Sequence, residues 1–134
     1  MSKKILFIDD DVKRVSSHIE MLQMEGYEVE TEASAQKALE AFMKNPSGYS
    51  LIILDIMMPK DEFTRQETNF GRNTGLVLLE KLRGISKDIP IIVLTVLRDQ
   101  NVIAKAKKFG VAEYLLKPQL PSNVIELAKK YIQK

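Results

Sequence analysis

The segment LIILDIMMP, residues 51–59, decides the fold class of this chain. Four apolar residues in a row indicate a short strand that is buried on both faces, which is typical of parallel sheets. An acid, Asp55, closes this strand directly, and a proline loop follows it. The segment therefore predicts a buried strand that delivers a carboxylate to one edge of a sheet.

Similar short apolar runs alternate with helical patterns along the whole chain. The predicted strands cover residues 5–8, 27–31, 51–54, 91–94 and 114–116. A helical pattern follows each strand; the first runs from Val12 to Leu22 with a stop at Gly26, and Ser34 is placed to cap the second. Five such units in succession predict an α/β fold with a parallel sheet and helices on both faces.

Composition limits the possible functions. The chain has 134 residues, of which 45% are hydrophobic, enough for the core of one domain. Its 20 basic and 18 acidic residues give a net charge of +2, so we expect no direct binding to nucleic acid. It has no cysteine, which excludes thiolate metal sites and cysteine nucleophiles. No segment reads as a signal peptide or membrane span, so we expect a cytoplasmic protein without membrane contact.

Polar residues stand at the ends of four predicted strands. Asp9 and Asp10 follow the first strand, Asp55 the third, Thr95 the fourth and Lys117 the fifth. Ligands of open parallel sheets bind beyond the carboxyl ends of the strands, so these residues predict one pocket.

The residue types in that pocket favour phosphoryl transfer. Three neighbouring carboxylates repel one another unless a cation intervenes, and Mg²⁺ prefers carboxylate, water and phosphate oxygens. One carboxylate can then attack phosphorus and form an acyl phosphate. Lys117 and the Thr95 hydroxyl can contact the phosphoryl oxygens. A cis bond between Lys117 and the following proline would fix the approach of the lysine.

Four motifs together resemble the response-regulator receiver family of two-component signalling. They are ILFIDDD at 5–11, LDIMMP at 54–59, Leu94-Thr95, and YLLKP at 114–118. The resemblance covers essentially the whole chain. It implies a single receiver domain over residues 1–134, with the flavodoxin-like (βα)5 fold and the strand order 2-1-3-4-5.

The resemblance also implies the roles of the acids. Asp55 would accept the phosphoryl group from a phosphohistidine on a histidine kinase or phosphotransfer protein. Asp10 and Asp55 would ligate Mg²⁺ directly, the Met57 backbone carbonyl would be a further ligand, and Asp9 would act mostly through water.

Thr95 and Tyr114 would form the switch pair of such a receiver. On phosphorylation the threonine would move toward the phosphate and the aromatic ring would turn inward. The change would remodel the face of the fourth predicted helix, the fifth strand and the fifth predicted helix, which would bind a downstream protein partner. We expect a stand-alone regulator of a phosphorelay that catalyses only its own phosphorylation and dephosphorylation, and is otherwise not an enzyme.

The chain departs from the family pattern in three places. The family's glycine after the proline loop corresponds to Gly75, which implies an insertion at about residues 61–74 in a polar stretch without periodicity. Val96 replaces a small residue and could narrow access to the phosphate. Met57 and Leu97 cannot orient an attacking water, which predicts a long-lived phosphorylated state. Four side chains of the insertion are candidates to contact a partner or to cover the pocket: Phe63, Arg65, Phe70 and Arg72.

Two alternatives remain from the sequence. A phosphatase similar to the haloacid dehalogenases would use Asp9 and Asp11 as its Asp-x-Asp pair, although Lys13 stands where that family has threonine or valine. The other alternative is a receiver-like scaffold that is never phosphorylated, which arises when the acids or the lysine are missing. All of them are present here, so only Val96 and the insertion keep this alternative open. Nucleotide binding is disfavoured, because neither glycine-rich phosphate-binding motif is present.

Overall fold

The computed structural model describes residues 3–59, 63, 65–68 and 71–132, without the side chains of residues 65 and 66. The strands are β1 (Lys4–Ile8), β2 (Glu28–Glu32), β3 (Leu51–Leu54), β4 (Ile91–Thr95) and β5 (Glu113–Leu116). The helices are α1 (Ser16–Met24), α2 (Ala35–Lys44), α3 (Arg65–Thr68), α4 (Thr74–Ile85), α5 (Gln100–Lys108) and α6 (Pro121–Ile132). The short helix α3 is additional, so the third to fifth predicted helices are α4, α5 and α6.

The five strands form one parallel sheet in the order β2-β1-β3-β4-β5, which confirms the predicted fold. In the register of the sheet, Ile8 lies beside Leu54, and Thr95 lies beside Leu116. The residues that follow these strands therefore emerge at the same edge. All four residues of β3 are buried, as expected for a strand covered on both faces.

Helices cover the sheet in two layers, and successive strand residues point alternately into one or the other. Ile5 and Phe7 of β1 pack in the α1/α6 layer, whereas Leu6 and Ile8 pack in the layer of α2, α4 and α5. In helix α2, the Ser34 side chain accepts a hydrogen bond from the Lys37 N–H at 3.2 Å, which confirms the predicted cap.

Two helix predictions differ from the structure. Helix α1 begins at Ser16 instead of Val12, because residues 12–15 form a turn in which the Val15 N–H donates to the Val12 carbonyl. Val12 still packs against the core from this turn, so its helical spacing was misleading. In α6, the helical spacing of the sequence predicts a buried stripe of Val124, Leu127, Ala128 and Tyr131. Leu127 and Tyr131 are only half-buried, and Ile125 and Ile132 are buried instead.

The polar stretch before α4 is anchored by buried side chains. Phe63 is 6% exposed and belongs to the α2/α4/α5 layer, with the Lys81 ammonium 5.4 Å from the centre of its ring. Thr68 and Thr74 are fully buried. The expectation that Phe63 contacts a partner or covers the pocket is therefore wrong, because burial in the core occupies its ring. Phe70 and the side chain of Arg65 lie outside the described residues.

Within the described ranges, no helix combines the length and the apolar composition needed to span a membrane.

Candidate functional site

Three carboxylates meet at the carboxyl edge of the sheet. One oxygen from each of Asp9, Asp10 and Asp55 lies within 4.8 Å of the others, and we call these residues the acidic cluster. Asp9 is 1% exposed and Asp55 is 6% exposed, whereas Asp10 is open to solvent. The convergence arises because β1 and β3 are neighbours in register and end side by side.

Lys117 joins the cluster from the end of β5. Its ammonium donates to Asp9 Oδ2 at 2.8 Å and to Asp55 Oδ2 at 2.9 Å. Its backbone N–H donates to the Thr95 carbonyl at 2.8 Å, which ties the end of β5 to β4. The bond from Lys117 to Pro118 is cis, as the sequence suggested.

Backbone N–H groups hold the remaining oxygens of the two buried acids. Asp9 Oδ1 accepts from the Asp11 N–H at 2.8 Å, and Asp55 Oδ1 accepts from the Met57 N–H at 3.1 Å. These donors could not be read from the sequence, because every residue type except proline offers the same backbone N–H. They orient both carboxylates with respect to Lys117.

The acidic cluster carries more negative charge than Lys117 can neutralise, which favours the binding of a cation. Burial raises the pKa of Asp9, which the hydrogen bond from Lys117 only partly offsets. Burial and the nearby charge of Asp55 raise the pKa of Asp10. For Lys117, burial acts to lower the pKa, but the hydrogen bonds to Asp9 and Asp55 outweigh it and the pKa is raised. When all are ionised, three carboxylates face one ammonium, so two negative charges remain uncompensated. Oxygen donors with this charge fit a hard divalent cation such as Mg²⁺.

Thr95 and Tyr114 both reach the backbone of Leu97. Thr95 is fully buried, and its Oγ1 accepts from the Leu97 N–H at 3.4 Å. The Tyr114 hydroxyl donates to the Leu97 carbonyl at 2.7 Å, and its ring packs on the α2/α4/α5 layer. Burial, followed by the charges of Asp55 and Asp99, raises the pKa of Tyr114. The two predicted switch residues are thus linked through one loop residue.

The departures from the family pattern occupy different places around the cluster. Val96 is 53% exposed and lines a cavity of about 300 Å³ that also contains Lys117. Met57 is 42% exposed and lines a second cavity, which it shares with Asp10 and Arg72. Leu97 is buried in the α2/α4/α5 layer.

The second acid of the Asp-x-Asp pair that the phosphatase alternative requires is not part of the acidic cluster. Asp11 lies apart from the acidic cluster and pairs with Arg14, whose Nε is 3.1 Å from Asp11 Oδ2. Asp11 also accepts a hydrogen bond from the Arg14 N–H, as an acid before a helix commonly does.

Comparison of the sequence with those of known proteins shows which proteins it resembles. The sequence model of the response regulator receiver domain matches residues 5–129. The two-component response regulator ARR10 of Arabidopsis thaliana is 34% identical over 115 residues, which are 86% of this chain and 18% of that protein. The probable transcriptional regulator ycf27 of Cyanophora paradoxa is 35% identical over 123 residues, 91% of this chain and 45% of that protein. The chain thus spans less than half the length of either relative.

Solved structures have the same architecture. A CheY-like receiver domain protein from Methanospirillum hungatei JF-1 superposes with a TM-score of 0.82 at 28% identity, covering 99% of this chain and 95% of that one. The chemotaxis protein CheY4 of Vibrio cholerae has a TM-score of 0.79 at 27% identity, covering 98% of this chain and 99% of that one.

Proposed function

Because the chain belongs to the response regulator receiver family, we propose that it accepts a phosphoryl group on Asp55 from a phosphohistidine of a histidine kinase or phosphotransfer protein. One observation carries the proposal: Asp55 is a nearly buried acid held by Lys117 within a cluster of three carboxylates. Stand-alone action stays a prediction, as does the assignment of residues 1–134 to one domain with an insertion.

The acidic cluster supplies the ligands for Mg²⁺. Asp10 is open to solvent and forms no ion pair within the described part of the chain, so it is free to bind a cation together with Asp55 and the Met57 carbonyl. Asp9 is only 1% exposed, which favours its action through water as the receiver resemblance implies. When bound, Mg²⁺ neutralises charge on the cluster and on the phosphoryl oxygens.

In the transfer step, a carboxylate oxygen of Asp55 attacks phosphorus and forms the new O–P bond. The N–P bond of the phosphohistidine breaks, and its electron pair returns to the imidazole nitrogen. The Lys117 ammonium, 2.9 Å from Asp55 Oδ2 before the reaction, pairs with a phosphoryl oxygen afterwards. The chain thereby promotes its own phosphorylation and acts on no separate substrate.

Thr95 and Tyr114 would transmit the effect of the added charge from the acidic cluster to the surface. A shift of Thr95 toward the phosphate would alter its hydrogen bond to the Leu97 N–H, and the Tyr114 hydroxyl is bound to the carbonyl of the same residue. The α5–β5–α6 face would then change shape and bind a downstream protein partner. Neither Met57 nor Leu97 can orient a hydrolytic water, so we expect the phosphorylated form to persist for minutes or longer.

The test is labelling with acetyl phosphate and MgCl₂, followed by intact mass and by the lifetime of the product. The wild type should gain one phosphoryl group, and Asp55→Asn should gain none. Asp88→Asn is the matched control, because Asp88 is an exposed acid outside the cluster and its loss should change nothing. Labelling of Asp55→Asn at the wild-type rate would show that another residue is the nucleophile. A lifetime of seconds would refute the predicted persistence.

A receiver-like scaffold is the outcome to exclude. With beryllofluoride and MgCl₂, a phosphorylatable receiver should show changed tyrosine fluorescence and shifted amide resonances around residues 95–97 and 114–117. No mass gain together with no spectral response would favour the scaffold.

A further inference from the structure

Arg72 lies at the rim of the acidic cluster, in a position that the receiver resemblance does not assign. It lines a cavity of about 390 Å³ together with Asp10, Met57, Met58, Pro59 and Gly71. Two of these residues are proposed Mg²⁺ ligands, and Met57 donates its N–H to Asp55. The cavity therefore adjoins the proposed phosphorylation site on the side of Asp10, whereas Lys117 approaches beside Asp9.

The backbone around Arg72 is held by local hydrogen bonds on both sides of it. The Gly71 N–H donates to Thr68 Oγ1 at 3.3 Å, and the Thr74 hydroxyl donates to the Gly71 carbonyl at 3.1 Å. Both threonines are fully buried, and Gly71 has a φ of 93°, which side chains rarely tolerate. After Thr74, the Gly75 N–H donates to the Ile56 carbonyl at 2.7 Å, which fixes this turn against the end of β3.

The guanidinium of Arg72 has no other task in the described residues. It is exposed and forms no hydrogen bond or ion pair there. By contrast, Arg14 pairs with Asp11, and Arg83 donates to four backbone carbonyls. A cation without a partner in the described residues, in a cavity that it shares with Asp10 of the acidic cluster, is available to an incoming anion.

The charge balance of the proposed reaction calls for such a cation. Mg²⁺ and Lys117 together neutralise Asp9, Asp10 and Asp55. Phosphorylation replaces the single charge of Asp55 by a charge of about −2, so one negative charge becomes uncompensated. A guanidinium can supply the missing positive charge with hydrogen bonds to phosphoryl oxygens.

We propose that Arg72 is a phosphoryl-binding residue, which contacts the phosphoryl group across the cavity from Asp10 and complements Lys117. This inference depends on the proposed function and adds a specific determinant of the site. Arg72 exchanges no proton in the step; it stabilises the phosphoryl oxygens while the O–P bond forms and after the leaving group departs.

The test compares Arg72→Ala, Arg72→Lys and Arg14→Ala by affinity for beryllofluoride in MgCl₂, affinity for Mg²⁺ alone, and labelling rate. Arg14→Ala is the matched control, since it removes the same charge from the cavity that contains Lys117. Arg72→Ala should bind beryllofluoride about three- to tenfold more weakly. Its affinity for Mg²⁺ alone should be unchanged or slightly higher, because a neighbouring positive charge is gone. Arg72→Lys should fall between Arg72→Ala and the wild type, and Arg14→Ala should match the wild type.

Two donors locate the contact. Acetyl phosphate and phosphoramidate share the phosphoryl group and differ in the leaving group, so Arg72→Ala should slow labelling by both to the same degree. Slowing with acetyl phosphate alone would place the contact on the leaving group and overturn the proposal. The proposal would also be overturned if Arg72→Ala bound beryllofluoride as tightly as the wild type does. It would be overturned equally if Arg14→Ala lost as much affinity for beryllofluoride as Arg72→Ala, or if Arg72→Ala lost as much affinity for Mg²⁺ alone as for beryllofluoride. Failure of the wild type to respond would refute the proposed function itself, and this inference with it.

Discussion

Substitution of Gly75 by alanine should destabilise the fold and disturb Asp55 at the same time. A Cβ at this position would lie 2.5 Å from the Ile56 Cα and 3.0 Å from the Asp55 carbonyl carbon, and closer still to the Asp55 carbonyl oxygen. These are backbone atoms at the end of β3, so they cannot move aside as a flexible side chain would. Helix α4 or the end of β3 must shift to accommodate the methyl group.

The size of the effect follows from two opposing terms. Overpacking of this kind costs about 1–3 kcal/mol and sometimes more, while alanine in place of glycine in a helix gains about 1 kcal/mol. Because the clash is with backbone, the cost should lie at the upper end of this range or beyond it, at about 2–4 kcal/mol, which leaves a net loss of about 1–3 kcal/mol, or roughly 4–10 °C in Tm. Because the clash is with the backbone of Asp55 and Ile56, we expect the carboxylate of Asp55 to be displaced and labelling by acetyl phosphate to slow by about tenfold or more.

Gly84→Ala is the matched control, because it is the same change in the same helix. Nothing lies within 4 Å of a Cβ at Gly84. The variant should be stabilised by about 0.5–1 kcal/mol and should be labelled at the wild-type rate. Urea unfolding and intact mass measure the two quantities. A Gly75→Ala protein that is as stable as Gly84→Ala would refute the close approach of α4 to Asp55.

Three further predictions concern charged side chains. Arg83→Met should lower the free energy of unfolding in urea by about 2–4 kcal/mol, because four backbone carbonyls near the ends of α4 and α5 lose their donor. Arg83→Lys should recover at most half of this loss. Lys117→Ala should lower the free energy of unfolding by about 2 kcal/mol or more in EDTA, because the buried acids then repel one another. MgCl₂ should restore most of this loss, and equal destabilisation in both buffers would contradict the prediction. Burial acts to raise the pKa of Glu30, but hydrogen bonds from Lys4 and Tyr49 hold it below the ordinary 4.5. The stability advantage of the wild type over Glu30→Gln should therefore be complete above pH 4.5 and shrink as the pH falls further, and a gap independent of pH would argue against the pairing.

The sequence predicted the sheet well because its central strands are short and wholly apolar. A run such as residues 51–54 is stable only when it is covered on both faces, and that requirement leaves few other arrangements. Helix boundaries were less predictable. Val12 has helical spacing but reaches the core from a turn, and the four residues of α3 are too few to show a period.

The candidate site divides in the same way. The meeting of Asp9, Asp10, Asp55 and Lys117 follows from parallel strands that end at one edge, so it was predictable. The position of Arg72 was not, because it depends on the burial of Thr68 and Thr74 in a polar stretch without periodicity. The hydrogen bond from Tyr114 to the Leu97 carbonyl likewise depends on loop geometry that no local pattern encodes.

The two layers on either side of the sheet make the molecule modular for engineering. No buried hydrophobic side chain belongs to both layers among the described residues, since each strand residue points to one side only. Energetic effects of substitutions in opposite layers should consequently add. Helices α1 and α6 could be replaced together by those of a homologous protein, and the packing of Phe63 and the contact between α4 and Asp55 would stay as they are. Such a chimera would carry foreign outer surfaces, while the three acids of the cluster would keep their places at the ends of β1 and β3.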